Sequence, residues 1–206
     1  MLVTFEGIEA AGKSTLMSAV ARTLQARGEE PVVAREPGGT PFGDALRAVF
    51  LDPGYRVDPI AEVMLLNASR AQLIADVIAP ALKTGRTVLC DRFFDATVAY
   101  QGYGRGLDVE GLLDICLAAT HRIAPDLTLL VDLPVEVSAA RVAARGGNDR
   151  LEREDDAFHA RVRQGYLELA VRFPNRMVVL DGLQAPEALA ADALRALERR
   201  RAGAPP

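Results

Sequence analysis

The sequence predicts an α/β protein with a five-stranded, mainly parallel sheet and helices on both faces. Three observations predict it. Short apolar runs of strand length alternate with longer stretches whose apolar residues recur at threes and fours. That alternation persists along the whole chain, which is the signature of strands joined through helical crossovers. Finally, Gly7-Ile8-Glu9-Ala10-Ala11-Gly12-Lys13-Ser14 matches G-x-x-x-x-G-K-[ST] between the first strand-like run and the first helical pattern. A loop of that kind opens from the carboxyl end of a strand, so the first strand is expected near the centre of the sheet.

The bulk properties set bounds. A chain of 206 residues can bury a sizeable core, and no repeat or linker divides it, so residues 1–206 read as a single domain. Half the residues are apolar and a quarter charged, as in soluble globular proteins. The net charge of −4 argues against bulk nucleic acid as a partner. No apolar run reaches the roughly 18 residues of a membrane span, and no leader is legible, so no membrane partner and a cytoplasmic location are expected. Cys90 and Cys116 lack ligand spacing and read as buried free thiols of a reducing compartment. Lys13 and Lys83 are the only lysines. A chain that otherwise uses arginine keeps a compact ammonium at the phosphate loop.

Taken in order, residues 2–6 form the first strand and residues 13–27 a helix stopped by Gly28. Residues 31–35 form the second strand, and 36–41 a loop at its carboxyl end, the edge where open α/β sheets bind ligands. Residues 42–51 read as a short helix carrying Arg47, and 52–59 as loop. Residues 59–82 give the longest helical pattern, with Val63, Leu66, Leu73 and Val77 on one stripe and Pro80 expected to kink or end it. Leu66 and Arg70 share a face of that helix; from spacing alone, such an arginine is most often a surface residue with its stem on apolar neighbours.

Residues 87–90 form the third strand, ending at Asp91-Arg92. Residues 93–106 read as helical and then glycine-rich, and 109–120 as a helix. Residues 127–132 form the fourth strand, followed by a helix from Pro134 to about Arg145. The charged stretch at about 145–154 reads either as a solvated loop or as a lid whose arginines close over a triphosphate. An amphipathic helix at 158–173, a fifth strand at 177–181 and a last helix at 186–200 complete the chain, which ends in a frayed Ala-Gly-Ala-Pro-Pro.

The loop's chemistry points to a nucleoside triphosphate. Its glycines let successive N–H groups turn inward on an anion, and the helix that follows adds its positive end. Lys13 brings a point charge to the terminal phosphates and Ser14 a hydroxyl for Mg²⁺. Gly7, Ile8, Glu9, Ala10, Ala11, Gly12, Lys13, Ser14 and Thr15 are therefore the expected triphosphate-binding residues. Asp91, a carboxylate at a strand's carboxyl end, is placed to organise Mg²⁺. An N-K-x-D motif for guanine is absent, which excludes a guanine-nucleotide switch and leaves a small-molecule kinase as the best fit.

Arg35 with Glu36-Pro37-Gly38-Gly39-Thr40, then Asp91-Arg92, then Ala99-Tyr100-Gln101-Gly102 with Gly104-Arg105-Gly106, together resemble bacterial thymidylate kinases. The resemblance spans roughly residues 2–195. It implies the three-layer P-loop NTPase fold, a homodimer, and Mg²⁺-dependent transfer of the γ-phosphoryl group of ATP to dTMP, giving dTDP for dTTP biosynthesis. It further implies that Glu9 faces the acceptor sugar and that Arg92 and Arg35, with Arg47, hold the acceptor monophosphate, with Pro37 beside them. Arg70 would bond a thymine carbonyl, Thr97 and Gln101 read the pyrimidine edge, and Tyr100 crowd out a ribose 2′-hydroxyl.

One family variant carries an arginine inside the phosphate loop. Ala10 and Ala11 stand there in this chain, so the catalytic arginine is expected from the lid, with Arg150 as an arginine finger. Lys13, Arg92, Glu9 and Asp91 complete the expected catalytic set. Leu66 stands where the family usually stacks a phenylalanine on thymine, which keeps open another nucleoside-monophosphate or deoxynucleoside kinase on the same fold. A regulator that binds ATP without transfer is disfavoured by the presence of Lys13 and Asp91.

Overall fold

The structure, a computed structural model, describes residues 1–146 and 149–204. Gly147 and Asn148 of the expected lid, and the terminal Pro205 and Pro206, lie outside the described residues.

Five strands, β1 (Leu2–Glu6), β2 (Val32–Arg35), β3 (Val88–Asp91), β4 (Leu127–Asp132) and β5 (Met177–Asp181), form one sheet in the order β2-β3-β1-β4-β5. Every pairing is parallel, so the sheet is more uniform than the sequence promised. β1 lies at the centre and all five of its residues are buried, because helices cover both faces. Its one hydroxyl is not orphaned: Thr4 Oγ1 meets Thr128 Oγ1 of β4 at 2.9 Å. Register decides the site. Arg35 pairs with Asp91 and Asp91 with Phe5, so the carboxyl ends of β1, β2 and β3 meet at one edge.

The helices are α1 (Lys13–Ala26), α2 (Pro41–Leu51), α3 (Pro59–Leu73), α4 (Ala79–Lys83), α5 (Phe94–Thr97), α6 (Val109–Ala119), α7 (Val135–Arg145), α8 (Asp156–Arg172) and α9 (Pro186–Arg201). Side chains start the polar-capped ones: Thr40 accepts from Gly43 N–H at α2, Asp108 from Glu110 and Gly111 N–H at α6, and Asp155 from Phe158 N–H at α8.

Two segments depart from expectation. Pro80 does not break the long helix at once; a π-helical stretch, Ile74–Ile78, joins α3 to α4 just before it. The wider turn relieves the clash between the proline ring and the carbonyl one turn back. The stretch after α5, read as helical and then glycine-rich, is a π-helical segment, Val98–Gly104. Its glycines admit α8: a Cβ on Gly104 would come within 2.7 Å of the Phe158 ring. Gly165 of α8 returns the favour to the Tyr103 ring, where a Cβ would sit at 2.5 Å. This close seat presents Tyr100 and Gln101 to the sheet edge.

Candidate functional site

The loop after β1 is held by backbone conformations that side chains resist. Gly7 has φ of 136°, and a Cβ there would lie 2.4 Å from the Val131 carbonyl oxygen. Ile8 and Ala11 are buried and Thr15 is exposed on the first turn of α1, and none of the three lines the cavity described below. Lys13 Nζ donates to the carbonyls of Gly7 at 3.0 Å and Ile8 at 2.7 Å. Burial, and then repulsion from Arg92, push the Lys13 ammonium down to about 8. Two residues of α7 brace the loop from outside, and no motif marks them in the sequence. Ser138 Oγ donates to the Glu9 carbonyl at 2.7 Å, and Arg141 donates to the Ala10 carbonyl at 3.2 Å.

Ser14 Oγ donates to Asp91 Oδ2 at 2.7 Å, which brings together the hydroxyl and the carboxylate expected to serve a metal. Among the described residues no group of three or more His, Cys, Asp or Glu could hold an ion. A single carboxylate with a hydroxyl suits Mg²⁺, which keeps waters and takes phosphate oxygens as its remaining ligands.

Arg92 follows at the end of β3 in a left-handed conformation, φ 66°. Its guanidinium donates to Tyr166 Oη at 3.1 Å, Glu9 Oε1 at 3.1 Å and Tyr100 Oη at 3.0 Å, and lies 4.9 Å above the Tyr100 ring. Tyr100 Oη in turn donates to Glu9 Oε1 at 2.5 Å. Burial works against the Glu9 charge, but His159, Arg92 and Lys13 outweigh it and hold the carboxyl well below the usual range. His159 Nδ1 stands 3.4 Å from Glu9 Oε2.

Behind this layer, Tyr166 Oη donates to Glu6 Oε2 at 2.8 Å, and the Phe93 N–H donates to Glu6 Oε1 at 2.7 Å. Burial, then the charge of Asp95, raise Glu6 from 4.5 to about 8. The folded chain therefore carries a proton on Glu6 that the unfolded chain loses near 4.5. The stability due to this proton is complete below the unfolded value and is lost as pH rises towards about 8. We expect Glu6→Gln to flatten the fall in melting temperature between pH 5 and 8; an unchanged slope would show that Glu6 is not its source.

Three guanidiniums, of Arg92, Arg35 and Arg47, line a cavity of about 380 Å³. Arg35 donates to Asp44 Oδ1 at 3.0 Å and Arg47 to the Pro37 carbonyl at 3.0 Å, which aims both across the loop after β2. Burial, then repulsion from Arg35 and Arg92, lower Arg47, which is the electrostatic mark of a site that wants an anion.

Residues of α3 and the π-helical segment line the same cavity. Arg70 is only 1% exposed, so the surface role that spacing suggested is wrong. It donates to Glu36 Oε2 at 2.8 Å, Asn67 Oδ1 at 2.8 Å and Thr97 Oγ1 at 2.9 Å, and lies 5.7 Å above the Phe93 ring. Breaking such a buried pair leaves a charge stranded, which typically costs about 3–5 kcal/mol. Leu66 lines the cavity beside Arg70, with Phe93 and Phe50 also on its walls. Gln101 donates to Glu62 Oε2 at 2.8 Å.

In the lid, the expected arginine docks on neighbouring helices. Arg150 is absent from the cavity lining. Its Nε donates to the Phe50 carbonyl at 3.0 Å, its N–H to the Leu51 carbonyl at 3.2 Å, and its Nη1 to Glu62, with the guanidinium 5.0 Å above the Phe50 ring. These contacts turn it into α2 and α3 and away from the phosphate loop. Arg145, at the end of α7, lines the cavity and pairs with Glu152 of the lid. Of the other expected residues, Glu9, Ala10, Lys13, Ser14, Arg35, Pro37, Arg47, Leu66, Arg70, Asp91, Arg92, Thr97, Tyr100 and Gln101 border this cavity, whereas Gly7, Ile8, Ala11, Gly12 and Thr15 do not line it. Sequence reasoning missed Glu6, Glu36, Glu62, His159 and Tyr166, which hold the residues it found.

The sequence model of the family described as thymidylate kinase matches residues 5–193. A thymidylate kinase of Citrifermentans bemidjiense is 49% identical over 203 residues, covering 94% of this chain and 90% of the relative. One of Deinococcus radiodurans is 46% identical over 200 residues, covering 97% of each. The crystal structure of thymidylate kinase from Ehrlichia chaffeensis superposes with a TM-score of 0.77 at 28% identity, covering 96% of this chain and 98% of that one.

Proposed function

The chain belongs to the thymidylate kinase family, and we infer that it transfers the γ-phosphoryl group of ATP to dTMP, giving dTDP for dTTP biosynthesis. The observation that supports this most is that one cavity is lined both by Glu9, Ala10, Lys13 and Ser14 of the phosphate loop and by Arg35, Arg47 and Arg92. A triphosphate at the loop and a second anion at the arginines would then be neighbours at the carboxyl edge of the sheet.

In this reading ATP phosphates take the place of the Gly7 and Ile8 carbonyls as partners of Lys13. Arg92, with Arg35 and Arg47, grips the acceptor phosphate, and guanidinium forks fix its orientation for in-line attack. Arg92 is itself held by Glu9, Tyr100 and Tyr166, so the acceptor meets a preset donor. Glu9 and Arg92 also pin the Tyr100 hydroxyl, which sets that ring against the sugar and favours deoxyribose. No side chain is needed as a general base, because positioning and charge neutralisation carry phosphoryl transfer. Ser14 and Asp91 would hold Mg²⁺, which supplies positive charge to the phosphate oxygens. The lid charge comes from Arg145, which already borders the cavity, rather than from Arg150.

Thr97, Gln101 and Arg70 read the pyrimidine edge, with Leu66 on the base face. We place the homodimer contact on α3, where Ile60 and Met64, one helical turn apart, are about half exposed. The buried free thiols of Cys90 and Cys116 agree with a reducing, cytoplasmic setting. No helix among the described residues is long and apolar enough to cross a membrane.

A coupled assay of nucleoside diphosphate formation with a panel of acceptors tests the reading. dTMP is expected to have the highest kcat/KM. A preference for dCMP, or for thymidine over its monophosphate, would overturn it.

A further inference from the structure

Glu62 is a carboxylate on α3 with 0% exposure that lies outside the cavity lining. Its Oε1 accepts from Arg105 at 3.1 Å and from Arg150 of the lid. Its Oε2 accepts from Gln101 Nε2 at 2.8 Å and lies 3.5 Å from Arg105 Nε. A carboxylate between two guanidiniums only accepts hydrogen bonds. An amide that faces it therefore has one orientation, with its NH₂ towards the carboxylate and its oxygen turned away. Gln101 is fully buried and borders the cavity, and its Oε1 has no hydrogen-bond partner among the described residues. A buried acceptor left without a donor is rare in folded proteins and marks a place for a ligand's N–H.

We infer that Glu62 is a positioning residue for acceptor choice: it locks the Gln101 amide so that the cavity offers an oxygen, not an NH₂, to the pyrimidine edge. Thymine presents an N3–H there and satisfies the oxygen. A cytosine presents a lone pair at N3 and is repelled. This rests on the reading that Gln101 faces the base. Because Arg150 binds the same carboxylate, the lid buttresses the base reader, which gives that arginine a role away from the phosphoryl group.

The probe is 5-methyl-dCMP, which matches dTMP except for the 4-amino group and the N3 lone pair. The quantity read is the ratio of kcat/KM for dTMP to that for 5-methyl-dCMP. In Glu62→Gln the partner of Gln101 can donate as well as accept, so the amide can turn, and the ratio is expected to fall at least tenfold. Glu62→Asp stays acceptor-only and is expected to keep the ratio within about threefold while binding dTMP more weakly. A purely structural role would lower activity on both acceptors together; an unchanged ratio in Glu62→Gln overturns the inference.

Gln101→Met separates the two levels of the argument. If it leaves the ratio intact, the placement of Gln101 at the base is wrong. If it collapses the ratio while Glu62→Gln does not, only the role of Glu62 fails. Should Glu62→Gln not give a cooperative melt, nitrogen-15 NMR of the unmutated chain decides. The Gln101 side-chain NH₂ is expected to exchange slowly with solvent both free and with dTMP, and exchange as fast as in surface glutamines would overturn the inference.

Discussion

Replacing Arg145 by alanine lowers kcat for dTMP phosphorylation by about 10³-fold, the usual cost of removing an arginine finger. The phosphate loop carries Ala10 and Ala11 and supplies only one side-chain cation, Lys13. Charge on the transferring phosphoryl group therefore has to come from elsewhere, and Arg145 is the lid-end guanidinium that borders the cavity. Its present partner, Glu152, is released when a triphosphate competes for the guanidinium. Arg150→Ala is expected to lower kcat by less than about tenfold, since that side chain is spent on Phe50 and Glu62. Its signature is instead a loss of discrimination between acceptors. Single-turnover rates at saturating ATP and dTMP separate the two; equal losses, or a larger loss in Arg150→Ala, would return the finger role to Arg150.

Lys13→Met lowers kcat by about 10²- to 10³-fold and weakens ATP, because it removes a preorganised cation from a buried site. Lys13→Arg is expected to recover little. The ammonium donates to the Gly7 and Ile8 carbonyls as a compact point charge, a geometry that a planar fork does not reproduce. The same burial lowers Lys13 to about 8 in the free chain, so it is charged below that value and loses its proton above it. ATP affinity should therefore fall as pH rises past about 8, which a titration of ATP binding from pH 6.5 to 9.5 reads directly. An affinity flat over that range would detach Lys13 from the phosphates.

The strands were legible because a parallel sheet buried on both faces writes them as continuous apolar runs; β1, β4 and β5 lie where those runs lie. The phosphate loop was legible because its signal is local, with strand, glycines, lysine and helix adjacent in sequence. The two π-helical stretches were not, since nothing local distinguishes a wide turn from an ordinary one. Gly104 carries its reason on another helix, in the Phe158 ring. Arg70 shows the same limit. Helical spacing put it on a stripe, but its burial follows from Glu36, Asn67 and Thr97, brought in from a loop, its own helix and α5. The lid has a related limit. Which of its arginines borders the cavity depends on Arg150 docking against Phe50 and Glu62, a tertiary fact that a run of charges does not encode.

The account turns on one cavity gripping the acceptor phosphate at the arginine end and reading its base at Gln101. A crystal structure of the chain with dTMP tests this most directly. The account predicts the monophosphate within hydrogen-bond distance of the Arg92 and Arg35 guanidiniums and the thymine N3–H on Gln101 Oε1. A phosphate lodged in the loop around Lys13, or a base directed away from Gln101, would contradict it.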